Sequence, residues 1–285
     1  MTDLSFGIKT APQHTTYKEM LKVWKEADEI SAIEHAWLFD HFAPIHGDGT
    51  GPCLEGWTLL AALAAQTTRL RIGLMVTGNT YRHPAVLANM AATVDIISNG
   101  RLNLGLGAGW NEYEHNSMGI PLYAPGERIR RLGEACVLIK QLFTQEDTTF
   151  AGRYYQLQEA RCNPKPLQKP HPPFVIGGGG EKLTLRIVAE HADIWNHVSP
   201  AGPVEEFRHK VAILHKHCEA IGRDPATIKL SVQPMVNYSN LEETTQTVQR
   251  LVNAGATHVV LNLRPPYPEG IVQKLADTVI QGVQA

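Results

Sequence analysis

Asp40 and His41 follow directly on four apolar residues, Ala36-Trp37-Leu38-Phe39. A short apolar run of this kind reads as a buried strand, and packing alone gives no reason to end one in two titratable groups. The pair has chemistry available to it. An imidazole moves protons near neutral pH, and a neighbouring carboxylate can orient that imidazole or hold the ring of a ligand. The alternative is that the two residues only cap the strand. His83, His115 and His197 are the other acid–base candidates among 13 histidines, and His83 precedes Pro84 and reads as a helix start. The spacing of His41 and His46 fits no standard metal motif, so no metal is expected.

A second signal is the glycine run Gly177, Gly178, Gly179, Gly180. It follows an apolar run and precedes a helical stretch, Glu181–His191. Glycines let backbone N–H groups converge, and a helix N-terminus adds partial positive charge, so an anion such as a phosphate is favoured there. The alternative is a merely flexible turn. No Gly-Lys-Ser/Thr follows, which excludes a Walker loop, and the glycines of "GLGAGW" (105–110) lack the spacing of a dinucleotide fingerprint.

Such residues need a frame. Short apolar runs alternate with helical stretches along the chain. The runs are Leu4–Ile8, Ala36–Phe39, 70–76, 101–107, 174–178, 193–198, 228–236 and 258–263. The stretches between and after them are Thr15–Ile30, Glu55–Gln66, Pro84–Ile97, a face marked by Ile129, Leu132, Cys136, Ile139 and Phe143, then Glu181–His191, Val204–Ile221, Leu241–Asn253 and Gly270–Gly282. The runs are apolar throughout, as strands buried on both faces are. Eight such units predict an α/β fold, a (β/α)8 TIM barrel in one domain over residues 1–285; a doubly wound open sheet is the alternative. Residues 145–173 hold prolines 164, 166, 170, 172 and 173, which no helix crosses. They are expected to be an irregular insertion before the fifth strand, with short strands near Thr149–Phe150 and Tyr154–Leu157. In a TIM barrel chemistry sits at the C-terminal ends of the strands. Those ends carry Asp40-His41, "TGNTYRHP", "GAGWNEYEH", the glycine run, Asn196-His197, and Asn262 with Arg264.

Composition narrows the class. The 285 residues are 43% hydrophobic and 19% charged, with a net charge of −2. That balance is not the basic footprint of a nucleic-acid binder. No apolar run is long enough to span a bilayer, and "MTDLSFGIKT" lacks the basic start and apolar core of an export signal. Cys53, Cys136, Cys162 and Cys218 are scattered and read as free thiols in a reducing, cytoplasmic setting.

Three segments carry a resemblance: "AWLFDHF", "RIGLMVTGNTYRHPAVLANMAATVDIISNGRLNLGLGAGW" and "FVIGGGGEKLTLRIVAEHADIWN". Together they resemble the luciferase-like monooxygenase superfamily, over nearly the whole chain and in the expected order. They look most like the branch that uses the deazaflavin coenzyme F420, a flavin-like hydride carrier. The resemblance implies a TIM barrel with the cofactor ring in its mouth. It implies that Asp40 lies beside the ring and that His41 faces the reacting carbon. It places a non-proline cis peptide at Met75-Val76, with Thr77 following, behind the ring. Gly107, Ala108 and Gly109 would lie near the ring or its ribityl chain, and Gly177–Gly180 near the phosphate. Asn196 and His197 would face the substrate, a small molecule, and the family often forms homodimers.

The glucose-6-phosphate dehydrogenases of that branch resemble this chain but carry Trp where it has Ile45, and a catalytic Glu where it has Trp110. The departures suggest a substrate that is not a sugar phosphate and is less polar. Three functions fit the resemblance: an F420-dependent oxidoreductase, a monooxygenase using reduced FMN and oxygen, and a non-catalytic flavin-binding protein. The monooxygenase needs a closed, dry site, for which the Pro-rich segment 145–173 is the candidate lid.

Overall fold

The strands β1 (Ser5–Thr10), β2 (His35–Leu38) and β3 (Arg71–Leu74) pair in parallel, in register Gly7 with His35 and His35 with Arg71. In this computed structural model, which describes residues 4–197 and 204–284, the ring continues through five more parallel strands. A two-residue strand β4 (Thr77–Gly78) extends the line of β3 after a break and pairs with β5 (Leu102–Gly107). After an antiparallel hairpin of β6 (Thr148–Ala151) and β7 (Gln156–Ala160) come β8 (Phe174–Gly177), β9 (Ile194–His197), β10 (Lys229–Val232) and β11 (His258–Leu263). The order β3-β2-β1-β11-β10-β9-β8-β5 closes through β3 pairing with β5, so the eight-stranded barrel is a TIM barrel, with β4 outside the ring.

Helices α1 (Tyr17–Glu29), α2 (Gly56–Ala64), α3 (Pro84–Ile97), α4 (Glu112–Met118), α5 (Pro125–Thr144), α6 (Thr184–His191), α7 (Val204–Ala220), α8 (Leu241–Val252) and α9 (Ile271–Lys274) link the strands, the last running on as a π-helix to Ile280. Their starts follow local chemistry. Thr16 and Glu19 form a reciprocal capping box on α1, and α3 begins at Pro84 as its sequence predicts. Helix α4 has no counterpart among the sequence expectations; its signal is Asn111, which caps it from three residues before Glu114. No described helix is long and apolar enough to cross a membrane.

Two cores result. The larger lies between strands and helices. The smaller fills the ring and consists of Trp37, Met75, Val175, Ile194 and Val260. Trp37 occupies the middle of the barrel because Gly73 leaves it room: a Cβ there would sit 2.6 Å from the indole. Beneath it His35 accepts a hydrogen bond from Trp37 Nε1 at 2.7 Å and stacks on His258, with ring centroids 3.9 Å apart.

The Pro-rich segment is held at both ends of the barrel: Tyr155 of its hairpin accepts from Asn79 Nδ2 at 3.0 Å in the loop after β4. Gln168 donates to Asp95 and to the carbonyl of Leu102 and accepts from Arg71, and Pro173 lines a cavity with His35 and Arg71. The prolines near Gln168 are thus tied to the end of the barrel opposite the strand C-termini, and no residue of 145–173 lines the mouth cavity itself. The hairpin's second strand, Gln156–Ala160, also starts later than the expected Tyr154–Leu157.

Candidate active site

Asp40 ends β2 at the barrel mouth, and its carboxylate is almost wholly buried. It does not touch His41's ring. Arg82, from the loop before α3, grips it with two donors, Nη1 at 2.5 Å and Nη2 at 3.0 Å. Nη2 also reaches Glu55, whose side chain caps α2. Burial pushes the Asp40 carboxyl above its ordinary value, against the opposing pull of Arg82.

The group that orients His41 is Glu114, on the helix the sequence reading lacked. Its Oε2 lies 2.8 Å from His41 Nδ1 and accepts from the Tyr81 hydroxyl at 2.5 Å. Its Oε1 accepts from the backbone N–H of Phe42 and Ala43. Burial alone would raise the Glu114 carboxyl, but these hydrogen bonds outweigh it and hold the group below its ordinary value, so it stays an acceptor. A carboxylate accepts, so Nδ1 of His41 carries the hydrogen, and in the neutral ring Nε2 presents its lone pair. Nε2 has no hydrogen-bond partner among the described residues, and His41 lines the mouth cavity. Trp110, 62% exposed, stands edge-on to the imidazole at 5.6 Å and Phe39 at 4.9 Å.

The cavity has a volume of about 520 Å³. Its lining includes Asp40, His41, Ile45, Met75, Val76, Gly107, Ala108, Gly109, Trp110, Gly177, Gly178, Gly180 and Asn196 of the expected residues. The peptide Met75-Val76 is cis, at the place the resemblance gives. Three expected residues lie elsewhere. Thr77 is buried with its hydroxyl accepting from Trp57 Nε1 at 3.0 Å. Gly179 does not line the cavity. His197 faces away from the barrel interior, because side chains alternate along β9: Asn196 points in, and His197 packs on Trp195 and Phe207. Helix α6 begins at Thr184, a turn after the glycines, so the run is a loop against the cavity wall rather than the helix's first residues.

This wall fits a planar ring with an anionic tail. A Cβ on Gly107 or Gly177 would lie 2.7 or 2.9 Å from Val76 Cγ2, so glycine at both positions is what lets Val76 pack into this wall. The amides of Gly179 and Gly180 have no hydrogen-bond partner among the described residues. Arg128, in the first turn of α5, lines the same cavity, and its Nε is buried with no partner, a donor available to an anion. Tyr81, Arg82 and Glu114 lie in the strand-end stretches without standing out there, and Arg128 and Lys9 carry no signal in the sequence. Cys53 donates to the His41 carbonyl, but burial pushes its thiol up to about 12, which makes it a packing group. No cluster of three or more His, Cys, Asp or Glu side chains suited to a metal occurs among the described residues.

Comparison with known proteins places this geometry in a context. The family model described as luciferase-like monooxygenase matches residues 4–275. The F420-dependent glucose-6-phosphate dehydrogenase of Amycolatopsis mediterranei is 34% identical over 180 residues, covering 62% of this chain and 52% of that protein. The F420-dependent hydroxymycolic acid dehydrogenase of Mycobacterium tuberculosis is 30% identical over 227 residues, 79% of this chain and 61% of that protein. The chain thus spans little more than half the length of these two relatives. Among solved structures, an F420-dependent secondary alcohol dehydrogenase in complex with an F420-acetone adduct superposes with a TM-score of 0.87 at 18% identity, covering 99% of this chain and all of that one.

Proposed function

Because the chain belongs to the luciferase-like monooxygenase family, we propose that it is an oxidoreductase that moves a hydride between coenzyme F420 and a small organic substrate. The observation that carries this is His41: its Nε2 opens on the cavity beside the glycine wall while Glu114 holds its Nδ1. The two F420-dependent relatives at 34% and 30% identity support the choice of cofactor.

When bound, the deazaflavin supplies the hydride chemistry. The protein's part is then positioning and proton handling. Gly107, Gly109, Gly177 and Gly178 line the cavity with no side chain of their own, and Met75 with Val76 would back the ring there. Asp40, with both carboxylate oxygens held by Arg82, anchors the mouth beside the ring. Arg128 and the free glycine amides suit the phosphate. His41 takes a proton from a substrate hydroxyl at Nε2, or returns one to a carbonyl, and the Glu114 carboxylate stabilises the imidazolium in between. Ile45, Trp110 and Asn196 form the substrate side, and the apolar pair there favours a substrate other than a sugar phosphate.

Fluorescence titration of the purified protein with F420 and with FMN tests the reading. Saturable F420 binding is expected; tight FMN binding with no F420 binding would overturn it. Loss of F420-dependent turnover in His41→Ala is the second expected result, and unchanged turnover would remove the proton role from that residue.

A further inference from the structure

Lys9 lines the mouth cavity yet takes no part in the scheme above. It lies on β1, one residue from the strand's end, and is buried. A buried ammonium is normally paired with a carboxylate. Among the described residues Lys9 Nζ makes one hydrogen bond, to Gln233 Oε1 at 2.8 Å, and no ion pair. Two of its three donors therefore have no protein acceptor. Burial lowers its pKa only to about 8, so at neutral pH the group is still mostly charged.

Gln233 cannot neutralise it and is not free to turn away. Its Nε2 donates to Asn196 Oδ1 at 2.8 Å, and Asn196 Nδ2 donates to Ser231 Oγ at 3.1 Å. The chain of amides fixes an oxygen toward Lys9 and leaves the remaining donors on the cavity side.

The surroundings carry the same sign. Beyond Lys9 the cavity runs into an adjoining pocket of about 230 Å³ whose lining includes Ile45, His46, Asn262 and Arg264 and no carboxylate. Among the described residues Asp40 is the single acidic side chain lining the larger cavity, and Arg82 already holds it. Burial, then Arg264 and Lys9, hold His46 below its ordinary value, so positive groups crowd here without a counter-charge. This arc, on β1, β11 and the end of β10, lies across the barrel from the glycine wall on β5 and β8.

We propose that Lys9 receives a carboxylate of the substrate, so that the substrate is a small organic acid whose apolar part lies against Ile45 and Trp110. A single ammonium with two unused N–H donors balances the single charge of a carboxylate. The assignment rests on reading the mouth as the cofactor and substrate site.

The test is NMR titration of the full chain with isotope-labelled acetate and with neutral acetamide, with and without F420. Acetate is expected to bind saturably in both forms and acetamide not at all; Lys9→Met should weaken acetate binding about tenfold or more, and Lys9→Arg should retain most of it. Acetate binding unchanged in Lys9→Met, or acetamide binding equal to acetate, would overturn the proposal. A second measurement reads the lysine directly. The Lys9 side-chain signal, assigned by its loss in Lys9→Arg, should shift on adding acetate and not on adding acetamide, and its failure to move counts against Lys9. F420 fluorescence in the same samples keeps the two readings apart, since loss of F420 binding with acetate binding intact would remove the cofactor assignment and leave the subsite.

Discussion

His41 Nδ1 and Glu114 Oε2 stand 2.8 Å apart across 73 residues of chain. The contact joins the end of β2 to a short helix after β5, and it sets which nitrogen of the imidazole faces the cavity. Tyr81 and two backbone amides tie down the rest of the carboxylate. The ring is oriented by a group that is itself fixed, as a general base requires.

Replacing that carboxylate should therefore show in turnover rather than in cofactor binding. Glu114→Gln is expected to lower kcat about 100-fold or more, since the imidazolium loses its counter-charge and the ring its fixed tautomer. Glu114 does not line the cavity, so F420 affinity should stay near that of the wild type. Steady-state kinetics beside fluorescence titration checks this; a fall in affinity with kcat preserved would contradict the positioning role.

Arg82 should prove a stability residue. Removing it leaves Asp40 buried without its partner, and breaking a buried pair costs about 3–5 kcal/mol. Arg82→Met should shift the urea midpoint strongly, and Arg82→Met with Asp40→Asn should recover part of the loss. A surface-like effect below about 1 kcal/mol would mean the pair is not desolvated as described.

The stacked histidines below Trp37 predict an acid limit. Burial holds His258 at about 3, and burial, with His258 and Lys229 nearby, holds His35 well below its ordinary value. Unfolded, each ring binds a proton near 6.5, so between about 6.5 and 3 the unfolded chain holds more protons than the folded one. Stability should fall as pH drops through that window, by up to about 1.4 kcal/mol per pH unit for each ring, and these rings should add no slope above it. Urea unfolding at a series of pH values checks this, with His258→Phe expected to remove about one proton's worth of slope; an unchanged slope would contradict the assignment.

Arg128 tests the anion end of the cavity. Its Nε has no protein partner and its Nη1 donates to the Tyr123 carbonyl at 2.9 Å, so Arg128→Leu should cost about 1 kcal/mol of stability while weakening F420 binding about tenfold, the loss of one charge-assisted hydrogen bond. Equal affinity in the variant would move the phosphate elsewhere in the cavity.

Wherever one stretch of chain suffices, the sequence reading holds. Apolar runs buried on both faces point to the eight ring strands, Pro84 points to the start of α3, and the helical spacing of Met20, Leu21, Trp24 and Ala27 points to α1. Asp40, His41 and the glycines were visible because an apolar strand ending in charge, or in four glycines, is unusual by itself. His197 was misplaced because adjacent strand residues face opposite ways, and which of Asn196 and His197 looks inward depends on register with β8 and β10. Helix α4 is only seven residues, too short for a clear period.

Amino-acid order by itself determined the barrel, the family motifs and the residues at the strand ends, because hydrophobic period and turn chemistry act over a few neighbours. Only the tertiary structure decided how those ends are wired: Glu114 to His41, Arg82 to Asp40, and Lys9 left with a single amide. Closing the ring brings β1 beside β11 and the β2 end beside a helix 73 residues on, and electrostatics at that range depends on separation in space and burial, which sequence spacing does not encode.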